Sequence, residues 1–254
     1  MQFGIIIQAR LNSKRLPNKI LKKINNTTIL EILINRLLKC FKRNTIVIAT
    51  TKKKEDSEII KVAKKLKVNF FRGSENNLLL RYICTAKKFA INNIIRITSD
   101  CPLVDPFLIK KMKNKFLETG VDYLSNTLPA WKSKFPNGSD IEIFTYKSLI
   151  KAKKLAKTKV EREHVTNVFW NSKRFNTITF KGKKNYSHYK YCLDYKSDFN
   201  LIKMIIKALL HKKKFGTYLE IIKIIKNNKK MMSISTLSNK KFFNNRNDLR
   251  MDKI

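Results

Sequence analysis

The run Phe3-Gly4-Ile5-Ile6-Ile7 is apolar and β-branched without polar alternation, as a strand buried on both faces of a parallel sheet reads. Such a strand needs helices on each side of its sheet, so the rest of the chain must provide them in alternation with further strands. It does. Strand-like runs over 45–49, 68–71 and 94–98 alternate with helical patterns over 27–40, 55–66, 76–90 and 106–117. In the first helical pattern Ile29, Leu30, Leu33, Leu37 and Leu38 share one face, and Thr27 or Thr28 is placed to cap it. The repeated βα order predicts an α/β fold, mostly parallel, with right-handed crossovers and function at the strand ends.

Beyond Gly120 the alternation loosens. A strand is expected over 121–124, a proline-containing loop over 125–137, and a half-exposed strand over 140–144, where acidic and apolar residues alternate. That alternation projects Asp140 and Glu142 to one face, where a carboxylate pair can recognise sugar hydroxyls or simply be a solvated strand face. Helices are expected over 148–157 and 161–170, strands over 175–180 and 189–193, then a helix capped by Ser197 and another over 218–226. Residues 230–254 show no sustained periodicity and are expected to form a poorly ordered tail after one domain over 1–229.

The segment leaving the first strand, Gln8-Ala9-Arg10-Leu11-Asn12-Ser13-Lys14-Arg15-Leu16-Pro17-Asn18-Lys19, carries cations spaced too irregularly for a helix face. Pro17 fixes φ and removes a donor, so the segment reads as a shaped loop able to wrap a polyanion, or as solvated basic surface. After the strand over 94–98 come Ser99-Asp100-Cys101-Pro102 and Asp105-Pro106. Asp105 reads as a helix cap with proline at the first helical position. Asp100 has no such role and is either a turn former or a magnesium ligand beside phosphates.

Fifty-six basic residues against eighteen acidic ones give a net charge of +38, which by itself points to a nucleic-acid partner. The lysines are scattered through every expected helix in a chain rich in Lys, Asn, Ile and Phe, and they are not interleaved with an aromatic platform, so no nucleic acid is expected. Cys40, Cys84, Cys101 and Cys192 form no CxxC pair, so neither a disulfide framework nor a zinc site is indicated, and the three dispersed histidines argue against a histidine-based metal centre. With no apolar segment near membrane-spanning length, no membrane insertion and a cytoplasmic location are expected.

Taken in order, Gln8-Ala9-Arg10, Ser13, Arg15-Leu16-Pro17 and Lys19 resemble the signature of the sugar cytidylyltransferases, in the SpsF-type branch that includes acylneuraminate cytidylyltransferase-like proteins. Gly73-Ser74-Glu75 with Arg81, then Arg96 to Pro106, then Ser125-Asn126, then Gly138 with Asp140 and Glu142, then Arg162-Glu163-His164, and finally Leu193-Asp194 with Asp198 extend the resemblance. It covers roughly residues 3–226. Asn77 stands where that family has Asp, Ser139 where it has an apolar residue, and Lys190 where Arg is common.

The resemblance implies a nucleotide-diphospho-sugar transferase fold, a Rossmann-like αβα sandwich, with magnesium-dependent transfer of CMP from CTP to a sugar such as an ulosonic acid. It implies catalytic roles for Arg10, Lys19 and Asp100, nucleotide binding by Gln8, Ala9, Arg10, Ser13, Arg15, Lys19, Ser74 and Arg81, and magnesium at Asp100 and Asp194. Sugar contacts would fall to Asn126, Asp140, Glu142, Arg162 and His164, and a homodimer is the family's habit. A glycosyltransferase of similar fold is one alternative, although that class places a D-x-D pair after a strand, which Ser99-Asp100-Cys101 lacks; a basic nucleic-acid-binding protein, suggested by the charge alone, is the other.

Overall fold

A computed structural model describes residues 2–13 and 15–245. The opening apolar run is β1 (Phe3–Gln8), followed by the short hairpin β2 (Lys23–Ile24) and β3 (Thr27–Thr28) and by α1 (Ile29–Leu37). Next come β4 (Ile46–Thr51), α2 (Ser57–Lys65), β5 (Asn69–Gly73), α3 (Leu78–Lys88), β6 (Asn93–Thr98) and α4 (Pro106–Thr119). The second half contains β7 (Tyr123–Ser125), β8 (Glu142–Thr145), α5 (Tyr146–Leu155), α6 (Lys159–His164), α7 (Asn167–Asn171) and β9 (Thr177–Thr179). Three helices close it: α8 (Lys196–His211), α9 (Tyr218–Lys226) and α10 (Lys229–Asn244).

The seven-stranded sheet runs β5-β4-β1-β6-β8-β7-β9. β5, β4, β1 and β6 are parallel, while β8 lies antiparallel between β6 and β7. The chain winds outward from β1 to β4 and β5, then returns to β6 on the other side of β1, so the strand order reverses between β1 and β6. In an open α/β sheet, a ligand crevice opens at that reversal, outside the carboxyl ends of the strands. Gln8 and Thr98 are paired neighbours there.

One apolar cluster around Ile5, Ile7, Leu33 and Ile109 packs on one face of the sheet, and another around Ile6, Tyr82, Phe144 and Phe169 on the other. A third, built on Leu193, Leu201, Ile205 and Ile221, joins α8 and α9 to the site region. Thr28 caps α1 through a capping box with Glu31, and Asp105 accepts from Phe107 N and Leu108 N at the start of α4.

Several expectations are corrected. The strand over 140–144 is not half exposed: β8 is an interior strand of the sheet, and Glu142 is buried in an ion pair with Arg96. The helix expected over 161–170 breaks into α6 and α7 at Val165, whose φ of 60° cannot continue a helix. In place of a strand over 189–193 there is a single bridge from Lys190 to Asn137. The start of α8 is bonded by Asp198, which accepts from Tyr195 N, and not by Ser197. The tail is ordered through Asn245: α10 packs on α8 and α9, buries Met231, and turns Ser235 and Ser238 inward, a face formed by small polar residues that hydrophobic periodicity does not register. Residues 246–254 lie outside the described residues.

Candidate active site

The loop after β1 is shaped by the body of the protein. Asp56 accepts from Leu11 N at 2.8 Å and from Thr51 Oγ1, and Asn18 N donates back to Leu11 O at 3.3 Å. Asn18 takes a left-handed conformation that turns the chain into a short helical turn, Lys19–Leu21, and this turn puts the Lys19 ammonium under the sheet reversal. The loop after β6 is fixed equally firmly. Arg36 of α1, 8 % exposed, donates to the carbonyls of Leu103, Val104, Phe215 and Gly216, and its burial lowers the guanidinium pKa to about 10 although Asp105 opposes this.

Asp194 is brought to Asp100 across the sequence by the backbone bond from Leu193 N to Asp100 O at 2.8 Å. Lys19 Nζ lies 2.8 Å from Asp100 Oδ2 and 3.3 Å from Asp194 Oδ1, and donates to Leu193 O at 2.6 Å. Arg15 Nη2 donates to Asp194 Oδ1 at 2.5 Å. Two carboxylates therefore share one ammonium, with the basic loop closing over them. Burial by itself would raise the pKa of both aspartates, but the Lys19 charge outweighs it together with hydrogen bonds from Lys19 and Thr98 at Asp100 and with Lys190 and Arg15 at Asp194, and both stay below the usual carboxylate range. Burial would likewise lower Lys19, but Asp100 and Asp194 hold it above the ordinary lysine value.

Behind Asp194 stands a buried support. Lys190, fully buried, donates to Asp198 Oδ2 and Cys192 O at 2.7 Å each and to Ser238 Oγ at 3.3 Å, and its ammonium lies 3.4 Å from Asp194 Oδ2. Asp198 also accepts from the backbone N–H groups of Asp194 and Tyr195, and from Ser238 Oγ of α10. Sequence reasoning marked Lys190 and Asp198 but missed Ser238.

Gln8 Oε1 accepts from Tyr82 Oη and Arg96 Nε at 3.2 and 3.1 Å, which locks its side chain at the end of β1 and leaves the Gln8–Ala9 backbone at the crevice. Ser13 lies in the same loop, its N–H donating to Leu11 O. Ser74 O accepts from Arg81 Nη1 at 3.1 Å, and burial lowers the Arg81 pKa. Asn77 caps α3 through Leu80 N at 2.9 Å, so the amide at this position has a structural task.

Toward the acceptor side, Asp140 Oδ2 accepts from Gly138 N at 2.6 Å and lies 3.6 Å from Cys101 Sγ, which places it beside Asp100. Asn126 and Glu142 are turned inward. The Asn126 amide bonds Ser139 O and Ile141 N, while Glu142 is held by Arg96 and by Tyr123 Oη at 2.7 Å. Arg162 and His164 lie on α6, where Arg162 donates to Lys157 O at 3.4 Å. The same helix reaches the basic loop through Glu163, 3.5 Å from Arg10, an exposed pair that the sequence did not single out.

The carboxylate pair fits a magnesium ion. Its donors are hard oxygens, which that ion prefers, and the Lys19 ammonium between Asp100 Oδ2 and Asp194 Oδ1 marks their shared side as one that holds positive charge, while Asp194 Oδ2 faces the buried Lys190 ammonium at 3.4 Å. Among the described residues no helix is long and apolar enough to cross a membrane.

A family model described as cytidylyltransferase matches residues 4–234. An uncharacterised protein of Methanocaldococcus jannaschii is 45% identical over 161 residues, 63% of this chain and 64% of that protein, so the match spans less than two thirds of the relative. The spore coat polysaccharide biosynthesis protein SpsF of Bacillus subtilis is 29% identical over 208 residues, covering 79% of this chain and 84% of SpsF. Among solved structures, a cytidylyltransferase from Leptospira borgpetersenii superposes with a TM-score of 0.85 at 35% identity, over 93% of this chain and 97% of that one. A CMP:2-keto-3-deoxy-manno-octonic acid synthetase complexed with CTP shares the fold, with a TM-score of 0.61 at 13% identity over 84% of this chain and 100% of that one.

Proposed function

Because the chain belongs to the cytidylyltransferase family, we propose that it transfers CMP from CTP to a sugar hydroxyl, of an ulosonic acid or a related sugar, with release of pyrophosphate, for surface polysaccharide or glycan assembly. The observation that carries this reading is the pair Asp100 and Asp194, bridged by Lys19 at the sheet reversal and covered by Arg15.

The chemistry follows from charge and position. The acceptor oxygen bonds to the α-phosphorus while the bond from that phosphorus to the bridging oxygen of the pyrophosphate breaks, and the hydroxyl proton passes to solvent. The attack is opposed by the negative charge of the triphosphate, so Arg10, Arg15 and Lys19 serve by neutralising it and holding the leaving group in line. A charged hydrogen bond contributes roughly 1.5 to 3 kcal/mol, so these cations hold a nucleotide when several act together. We assign the base to the Gln8–Ala9 end of β1, where Tyr82 and Arg96 hold the Gln8 side chain, and the rest of the nucleotide to the side of Ser74 and Arg81, which bond each other.

Asp100 and Asp194 would hold magnesium, which when bound polarises the phosphate oxygens and lowers the pKa of the attacking hydroxyl. Asp140 and the α6 residues Arg162 and His164 are the acceptor-side groups within reach of solvent; Asn126 and Glu142 act by holding the acceptor wall. The reaction belongs in the cytoplasm, where the free cysteines stay reduced. Pyrophosphate release from each nucleoside triphosphate, with magnesium and a panel of ulosonic acids and sugar phosphates, tests the proposal: release with CTP is expected, and equal release with ATP, GTP or UTP would refute it.

A further inference from the structure

Cys101 and Cys192 are far apart in sequence and both buried, yet they meet beside Asp100. The two Sγ atoms and a carboxylate oxygen of Asp100 all lie within 4.8 Å of one another. Cys101 Sγ is 3.9 Å from Asp100 Oδ1 and 3.6 Å from Asp140 Oδ2, with Thr98 Oγ1 at 3.2 Å on its other side. A tetrahedral ion with metal–sulfur bonds of about 2.3 Å and metal–oxygen bonds of about 2.1 Å spaces its donors roughly 3.4 to 3.8 Å apart. The donors of Asp100, Cys101 and Cys192, within 4.8 Å of one another, are somewhat wider than that and would draw in on binding, while Asp140 approaches the set through Cys101 alone. Two sulfurs and two carboxylates also form a mixed set that selects soft or borderline cations, whereas the all-oxygen pair Asp100 and Asp194 selects hard ones.

We propose that Cys101, Cys192, Asp100 and Asp140 form a site for a thiophilic divalent cation of the zinc class, distinct from the Asp100–Asp194 pair but sharing Asp100 with it. Binding forms two metal–sulfur bonds, sends the two thiol protons to solvent, and involves no change of oxidation state. Occupancy draws Asp100 away from Lys19, so the ion acts as an inhibitor of whatever chemistry Asp100 supports. Asp100 and Asp140 are the partly exposed members of the set and give the ion its way in.

The test uses the full chain, reduced and stripped of metal, with cobalt(II) as the probe, because thiolate-to-cobalt charge transfer reports sulfur ligation directly. One cobalt per chain with a charge-transfer band is expected, displaced by one equivalent of zinc. The band should be lost, or cobalt bound roughly 100-fold or more weakly, in Cys101→Ser and in Cys192→Ser, and retained in a Cys40→Ser/Cys84→Ser chain. Should the Cys101 or Cys192 variants fail to fold, zinc X-ray absorption of the Cys40→Ser/Cys84→Ser chain decides the matter: two sulfur scatterers at about 2.3 Å are expected, and a shell of oxygen and nitrogen alone overturns the proposal. Cobalt bound without the band, a band insensitive to Cys101 and Cys192, or a thiol pair that oxidises and refuses cobalt each overturns the proposal. This readout does not depend on the transferase reading. Zinc inhibition of CTP-dependent pyrophosphate release, weakened in Cys192→Ser, rests on both.

Discussion

Lys190→Met removes the ammonium at the centre of the buried support beneath Asp194. That ammonium bonds Asp198 Oδ2 and Cys192 O at 2.7 Å and Ser238 Oγ at 3.3 Å, and faces Asp194 Oδ2 at 3.4 Å, all away from solvent. Without it, Asp198 would keep a buried charge met only by the N–H groups of Asp194 and Tyr195 and the hydroxyl of Ser238. Breaking a buried pair in this way costs about 3 to 5 kcal/mol, because the orphaned charge has no route to water. For a chain of this length each kcal/mol moves the melting midpoint by about 2 to 4 °C, so a drop of roughly 6 to 20 °C is expected. Urea unfolding followed by circular dichroism measures the free energy, with an unchanged m-value showing that the native state stays intact. Lys190 also positions Asp194, so the variant should raise the magnesium concentration needed for pyrophosphate release while leaving metal-free CTP binding unchanged. A stability loss under about 1 kcal/mol together with an unaltered magnesium requirement would refute the support assigned to this lysine.

Arg15→Met should weaken CTP binding by about 10- to 150-fold, the equivalent of one charged hydrogen bond, as read by calorimetry. Ser238→Ala should cost about 1 to 3 kcal/mol, since it takes a donor from buried Asp198, and urea unfolding would reveal it; no loss would mean that α10 merely covers the site. Asp100 and Asp194 are both depressed, chiefly through Lys19 acting against burial, so their contribution to stability is complete above the unfolded carboxylate value of about 4 and is lost as pH falls towards their lower folded values. Unfolding free energy should therefore be nearly flat from about pH 7 to 5 and decline below about pH 4, with a shallower decline in Asp194→Asn.

The half of the chain governed by apolar periodicity was the half the sequence made legible. β1, β4 and β6 and the helices around them lie close to where Ile- and Val-rich runs and single-faced Leu patterns put them, because burial on two faces leaves little room for other residue types, while the edge strand β5 was marked by its Phe pair. The basic loop and Asp100 could be placed at strand ends for the same reason. What the pattern could not show is polar burial. Glu142 looked solvated because an acid in an alternating strand normally is, and only Arg96 and Tyr123, distant in sequence, explain its place inside. The tail failed similarly, since α10 docks through Ser235 and Ser238 and its bond network has no hydrophobic period. The meeting of Asp194 with Asp100, and of Cys192 with Cys101, depends on one backbone bond across 93 residues that no local pattern encodes.

The central claim is that the two aspartates and the cations bridging them are the machinery of CMP transfer. Steady-state pyrophosphate release with CTP, magnesium and an accepting sugar, compared between the unaltered protein and Asp100→Asn, tests it most directly. The account predicts turnover reduced at least about 100-fold, near 3 kcal/mol of lost transition-state stabilisation, with the fold and CTP binding retained. Near-normal turnover in Asp100→Asn would contradict it and return Asp100 to the role of a turn residue.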